Sequence, residues 1–202
     1  MQSEILRLIN AVKPASEYEK IRKEAYRIIS NYKAPRYLKL TDRLTILFED
    51  AATVWFQIEE TIHMEGTDDD QMIREIISTY QPMIPSHDEI SFTLFIHVYN
   101  DDEMRKLLPK YSGIERGMGL AIDSNVIKAL PIYPSDYEPG AQARSLHYLK
   151  YKSNGLAASL MKTDDVTILV DHSEVKAKVK IPGDTLVSLR NSISINSIKW
   201  AI

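Results

Sequence analysis

The segment Ile90-Ser91-Phe92-Thr93-Leu94-Phe95-Ile96-His97-Val98-Tyr99 decides the fold. Phe92, Leu94, Ile96 and Val98 alternate with Ser91, Thr93, Phe95 and His97, the period of two that a strand shows when one face looks into a core. Pro82 and Pro85, just upstream, mark a rigid crossing, because each fixes its φ and removes a backbone donor. Before that crossing the apolar spacing is mostly helical, and after it mostly strand-like.

Working backwards, Ser16-Glu17-Tyr18-Glu19 after Pro14 reads as a capping box that opens a helix to about Tyr32, with Ile21, Ala25, Ile28, Ile29 and Tyr32 on its apolar stripe. Pro35 stops it. Residues 36–48 then read as a hairpin, with Thr41-Asp42-Arg43 as the turn. A second helix runs from about Asp50 to Glu65 with Val54, Ile58 and Ile62 on one stripe, and Gly66 ends it. Thr67 is expected to cap a third helix reaching Tyr80. Asp68, Asp69 and Asp70 fall where the helix dipole favours carboxylates, so they read as a helix start rather than a metal cluster.

Working forwards, Asn100 caps a short helix that ends near Pro109, and strands are expected around 118–123, 126–132, 145–152, 166–171 and 175–181. Short helices are expected near 154–162 and after Pro182-Gly183-Asp184. In the tail, Ile193, Ile195, Ile198, Trp200 and Ile202 suggest an apolar edge strand that would pair with a second subunit to form a homodimer. The fold class is α+β: N-terminal helices with a hairpin, followed by a mostly antiparallel sheet with short helices. We expect one domain over 1–202, helix-rich to about 81 and strand-rich from 82.

The chain of 202 residues is 44% hydrophobic, enough for a real core. Its longest nearly continuous apolar run, Phe92 to Val98, is too short to span a bilayer. Met1-Gln2-Ser3-Glu4-Ile5 lacks the features of a signal peptide, which points to a cytoplasmic protein. With no cysteine, disulfides, a thiol nucleophile and a cysteine-held zinc or iron–sulfur cluster are excluded in this chain.

The net charge of −3 hides a segregation. Residues 10–45 carry nine Lys/Arg against four acids, residues 46–104 carry fourteen acids against Arg74 alone, and residues 105–202 carry fourteen Lys/Arg against nine acids. Such a pattern either balances within the fold or draws a basic partner or cation to the acidic middle. Nucleic acid is not expected, because acids dilute the basic stretches and no RNA-binding or zinc-finger signature is present.

Gly113, Gly117 and Gly119 lack phosphate-cradling spacing and read as turn glycines before a strand. No P-loop and no GxSxG elbow occurs. Glu60-Thr61-Ile62-His63 matches the E-x-x-H of di-iron bundles, but a single copy without its companion glutamates does not build that site. Glu59 and His63 read as a surface pair one helical turn apart. His147 shares a strand face with Ser145, Leu149 and Tyr151. Asp171-His172 closes the apolar run Val166 to Val170, a place for a turn or for a carboxylate and imidazole offered to a pocket.

Several stretches taken together resemble the prokaryotic domain of unknown function 3501 family. They are Glu17-Tyr18-Glu19 with Arg22, Leu44 to Asp50, Gln57 to Glu60 with Glu65, Tyr80 to Pro85, Gly113-Ile114-Glu115, Leu146 to Leu149, and Val170-Asp171-His172. The resemblance runs in order from about 16 to 192. It implies gene company with rubrerythrin-like and iron–sulfur oxidoreductases, hence a redox partner, and no established activity. The family pattern matches Gln57, Glu60, Glu65, His147, Asp171 and His172, while His63 and Gly66 stand where relatives carry arginines.

Glu60 and Glu65, five residues apart, sit about 140° around a helix from each other. With His147, Asp171 and His172 they form a candidate ligand set whose oxygen and nitrogen chemistry suits iron, manganese or zinc. Two main functions follow: a non-catalytic accessory protein linked to redox or peroxide-stress metabolism, or a metal-binding protein or metal-dependent enzyme using the Glu/His set. A small-molecule sensor with an internal pocket is the third.

Overall fold

Asp50 ends a strand and begins a helix. Its carboxylate accepts hydrogen bonds from the N–H groups of Ala52 and Thr53, while the Thr53 hydroxyl accepts from the Asp50 N–H at 2.9 Å. The capping box therefore lies here, not at Ser16. In the computed structural model, which describes residues 2–132, 144–193, 195, 196 and 200, helix α1 (Gln2–Leu8) is followed by α2 (Ala15–Lys33). Helix α2 opens after Pro14 without a side-chain cap, and the Ser16 N–H donates to Asp68. A tertiary carboxylate thus takes the donor that a local cap would have held.

Strands β1 (Tyr37–Lys39) and β2 (Leu44–Glu49) form the expected hairpin. Helix α3 (Ala51–Glu65) ends at Gly66, whose φ of 59° is the left-handed conformation that a side chain resists. Helix α4 (Asp70–Tyr80) is capped by Asp69 rather than Thr67. The three aspartates are a helix start, with Asp68 serving α2 next door.

The second half contributes β3 (Glu89–Ile96), α5 (Asp101–Lys106), α6 (Ile114–Gly117), β4 (Met118–Ile122), β5 (Asn125–Lys128), β6 (Leu130–Pro131) and β7 (Leu146–Lys152). It continues with α7 (Leu156–Lys162), β8 (Val166–His172), β9 (Val175–Lys180) and α8 (Gly183–Ser192). Among the described residues all strand pairings are antiparallel, but in two sheets rather than one. They run β1-β2-β3-β7-β6 and β5-β4-β8-β9. The hairpin of the helix-rich half belongs to the first sheet, where β2 and β3 pair from Leu44↔Ile96 to Glu49↔Ser91.

The layers follow from alternation. Ile46, Phe48, Phe92, Leu94, Leu149 and Tyr151 pack on Leu120, Ile122, Ile168 and Val170 of the second sheet, with Leu160, Leu186 and Leu189 of α7 and α8 closing one end. The opposite face of the first sheet carries the helices, whose own core holds Ile5, Tyr18, Ile29, Trp55, Ile58 and Ile73. Ile195, expected on a tail strand, packs in that helical core, and the Trp200 indole donates to the Ile9 carbonyl. Ile198 and Ile202 lie outside the described residues. Gly117 sits where α6 passes β8, and a Cβ there would meet the Asp171 carbonyl oxygen at 2.5 Å.

Arg36 and Asp50, both fully buried, lock these layers together. Their side chains pair at 2.6 Å; Tyr32 and Ser192 donate to the carboxylate, and Arg36 also reaches the Phe48 and Ser188 carbonyls. The pair ties α2, β2, α3 and α8 at one point. A buried ion pair is tolerable only with this degree of hydrogen bonding.

Candidate functional site

The helices do not close fully onto the first sheet. Between them lies a cleft of about 350 Å³, within the size range of small-molecule sites. Its sheet wall is the outer set of the period-two pattern: Leu47 and Glu49 from β2, Thr93 and Phe95 from β3, Leu146 and Tyr148 from β7. Its helical wall is one stripe of α3 at positions 57, 60, 61 and 64, the spacing that aligns side chains along one face. Lys33 from the last turn of α2 and Tyr80 from the last residue of α4 complete the rim.

Three ionisable groups define its electrostatics. The Glu49 carboxyl, at the inner wall, is buried; Thr93 donates to Oε1 at 2.6 Å, and Oε2 has no partner among the described residues. Burial pushes this carboxyl up, against the opposing pull of its Thr hydrogen bonds and of Lys33. The Lys33 ammonium lies 4.9 Å from the Phe56 ring centroid, and among the described residues it meets no carboxylate at ion-pair distance. Burial lowers its pKa. Glu60 is the opposite case: Oε1 accepts from Tyr18 and from Arg22 Nε, and Oε2 accepts from Arg22 Nη2 and Tyr26. Burial works to raise Glu60, and these four donors outweigh it and hold the carboxyl low.

Gln57 donates to the Tyr148 hydroxyl at 3.1 Å, which joins α3 to the sheet at the cleft, and Thr61 donates to that of Tyr80 at 3.3 Å, which joins α3 to α4. An ammonium with no carboxylate at ion-pair distance among the described residues, a buried carboxyl, several hydroxyls and an apolar floor suit capture of a small polar molecule.

The five residues expected to share a metal are not brought together. Glu60 faces the cleft on the helical side of the first sheet. His147 sits on the opposite face of that sheet, in register with Leu94, with Nδ1 3.8 Å from the Glu115 carboxylate. Its Nε2 is buried without a partner among the described residues, and burial lowers its pKa although Glu115 pulls the other way. Glu65 is exposed at the end of α3. Asp171 pairs with Lys176 across the β8–β9 hairpin, and the His172 ring stacks on Tyr111 with Nε2 3.0 Å from the Ser112 carbonyl. Among the described residues no three His, Asp or Glu side chains gather to hold a metal ion. A sheet separates Glu60 from His147, and the strand end carrying Asp171 and His172 lies in the other sheet.

Glu59 and His63 also part company. Glu59 is fully buried, accepting the Lys13 N–H at 2.9 Å, and burial raises its pKa to about 8, whereas His63 turns to Glu19 at 3.4 Å. The residues that sequence reasoning passed over are Lys33, Glu49 and Tyr148. Tyr148 had a signal, since neighbours on a strand face opposite sides and the stripe at 57, 60, 61 and 64 needs something across from it.

A family model described as Protein of unknown function (DUF3501) matches residues 8–193. A crystal structure of a novel protein of unknown function from Burkholderia pseudomallei K96243 is similar to this chain. It is 25% identical, with a TM-score of 0.82, over 90% of this chain and 95% of that one. Among proteins with curated descriptions, none matches the chain. Among the described residues, no helix is long and apolar enough to cross a membrane.

Proposed function

This chain belongs to the DUF3501 family, and from that premise we propose that it is a binding protein whose cleft between α2, α3 and the first sheet captures a small molecule. One observation carries the reading. Four of the stretches that resemble the family place Glu49, Gln57, Glu60, Tyr80, Leu146 and Tyr148 around that single cleft, although they lie up to 99 positions apart (49 to 148) in the sequence. Packing alone would fill such a space with apolar side chains; here a buried carboxyl borders it, with an ammonium that meets no carboxylate at ion-pair distance among the described residues. A non-catalytic accessory role beside an iron–sulfur oxidoreductase or rubrerythrin-like protein accords with this reading. A chain without cysteine brings no thiol redox centre of its own, and ligand occupancy is a signal that such an accessory can pass on.

The test is a fragment screen followed by two-dimensional NMR on the full chain. Ligands are expected to shift the methyl signals of Leu47, Met64 and Leu146 and to leave those of Leu120 and Ile168, in the other core, in place. Fragments that bind elsewhere, or none that bind, would end the proposal.

A further inference from the structure

Resting on the reading of the cleft as a small-molecule site, we infer that its ligand is a small monoanion, a monocarboxylate on an apolar or aromatic body, with its charge on Lys33 and its body against Phe56, Leu47 and Phe95.

The charges around this confined space are unevenly matched. Asp50, behind the inner wall, is matched by Arg36 at 2.6 Å and takes no further charge. Glu60 is matched by the two-pronged hydrogen bonding of Arg22, with both oxygens also taken by tyrosine hydroxyls. Glu49 is buried beneath the cleft, burial works against its charged form, and among the described residues its carboxyl makes no ion pair with Lys33. What is left is one ammonium, half-desolvated, with an aromatic face beneath it and no carboxylate at ion-pair distance among the described residues. A partly buried cation without a counter-ion is costly, and a ligand carboxylate supplies the counter-ion. A single uncompensated cation balances a single negative charge, which favours a carboxylate over a phosphate dianion. The remaining lining is apolar or aromatic and takes the body of the ligand.

The experiment uses three compounds with one ring and different head groups: benzoate, benzyl alcohol and benzylammonium. Each is titrated into the full chain at pH 6.5 with the methyl signals of Leu47, Met64 and Leu146 as reporters. Benzoate is expected to bind roughly ten- to a hundredfold more tightly than benzyl alcohol, the value of one charge-assisted contact. K33M should abolish that preference and K33R should retain it, which separates loss of charge from loss of fold. Preference for benzylammonium, or a benzoate preference that survives in K33M, overturns the anion inference while leaving the cleft as a binding site. If none of the three shifts the cleft methyls and the fragment screen is also silent, the binding-site reading falls, and this inference with it.

Discussion

Replacing Glu59 by glutamine should stabilise the protein at neutral pH, an unusual outcome for a fully buried polar position. Glu59 lies on α3 against the segment after α1. Oε1 accepts the Lys13 N–H at 2.9 Å, Oε2 has no partner among the described residues, and burial raises the pKa from 4.5 to about 8. Glutamine keeps the acceptor for Lys13 and puts an amide where the protonated acid carries its O–H, so it mimics the neutral form at all pH values. The folded state holds a proton that the unfolded chain releases above its ordinary pKa, so wild-type stability falls as pH rises. The fall begins near 4.5, runs at about 1.4 kcal/mol per pH unit and levels off near 8. At pH 7 the advantage of E59Q is then about 3 kcal/mol, and at pH 4 it vanishes. Urea unfolding of both proteins at pH 4, 5, 6, 7 and 8.5 measures this. A difference that does not change with pH, or an E59Q protein less stable at pH 7, would refute the assignment of Glu59 as a buried neutral acid.

Three further outcomes are expected. D50A should cost about 3–5 kcal/mol by stranding the buried Arg36 charge, with about 1 kcal/mol more from the lost helix cap. D50S should recover only the cap share, and urea midpoints with a common m-value separate the two. G117A should lose about 1–3 kcal/mol, because its Cβ meets the Asp171 carbonyl oxygen at 2.5 Å, while G119A, whose nearest neighbours lie at 3.5 Å, should change the melting temperature little. Burial lowers the His147 pKa below its ordinary 6.5, so the unfolded chain takes up its proton before the folded one as pH falls. Wild type should therefore lose stability between pH 6.5 and 5 faster than H147Q, as read from paired denaturation curves.

The secondary structure was legible because it depends on neighbours in the chain. The alternation of Phe92, Leu94 and Ile96 fixes a strand whose one face is apolar, and Gly66 fixes a helix end, whatever the rest of the molecule does. The α+β class follows from those local patterns, as does the family from the order of its stretches. The candidate site was legible only in part. Glu60, a residue of the expected ligand set, borders the cleft, but on β7 it is Tyr148, not its neighbour His147, that faces that space. Sequence gives the period of a strand without saying which face meets which layer, and here both faces of the first sheet are covered. Whether Glu59 is a surface partner of His63 or a buried acid, and whether Ser16 caps its own helix or leaves that to Asp68, depends on contacts 46 and 52 residues away. Local propensity sets the elements. Desolvation and charge pairing set the chemistry of each side chain, and both are decided by which elements pack against it.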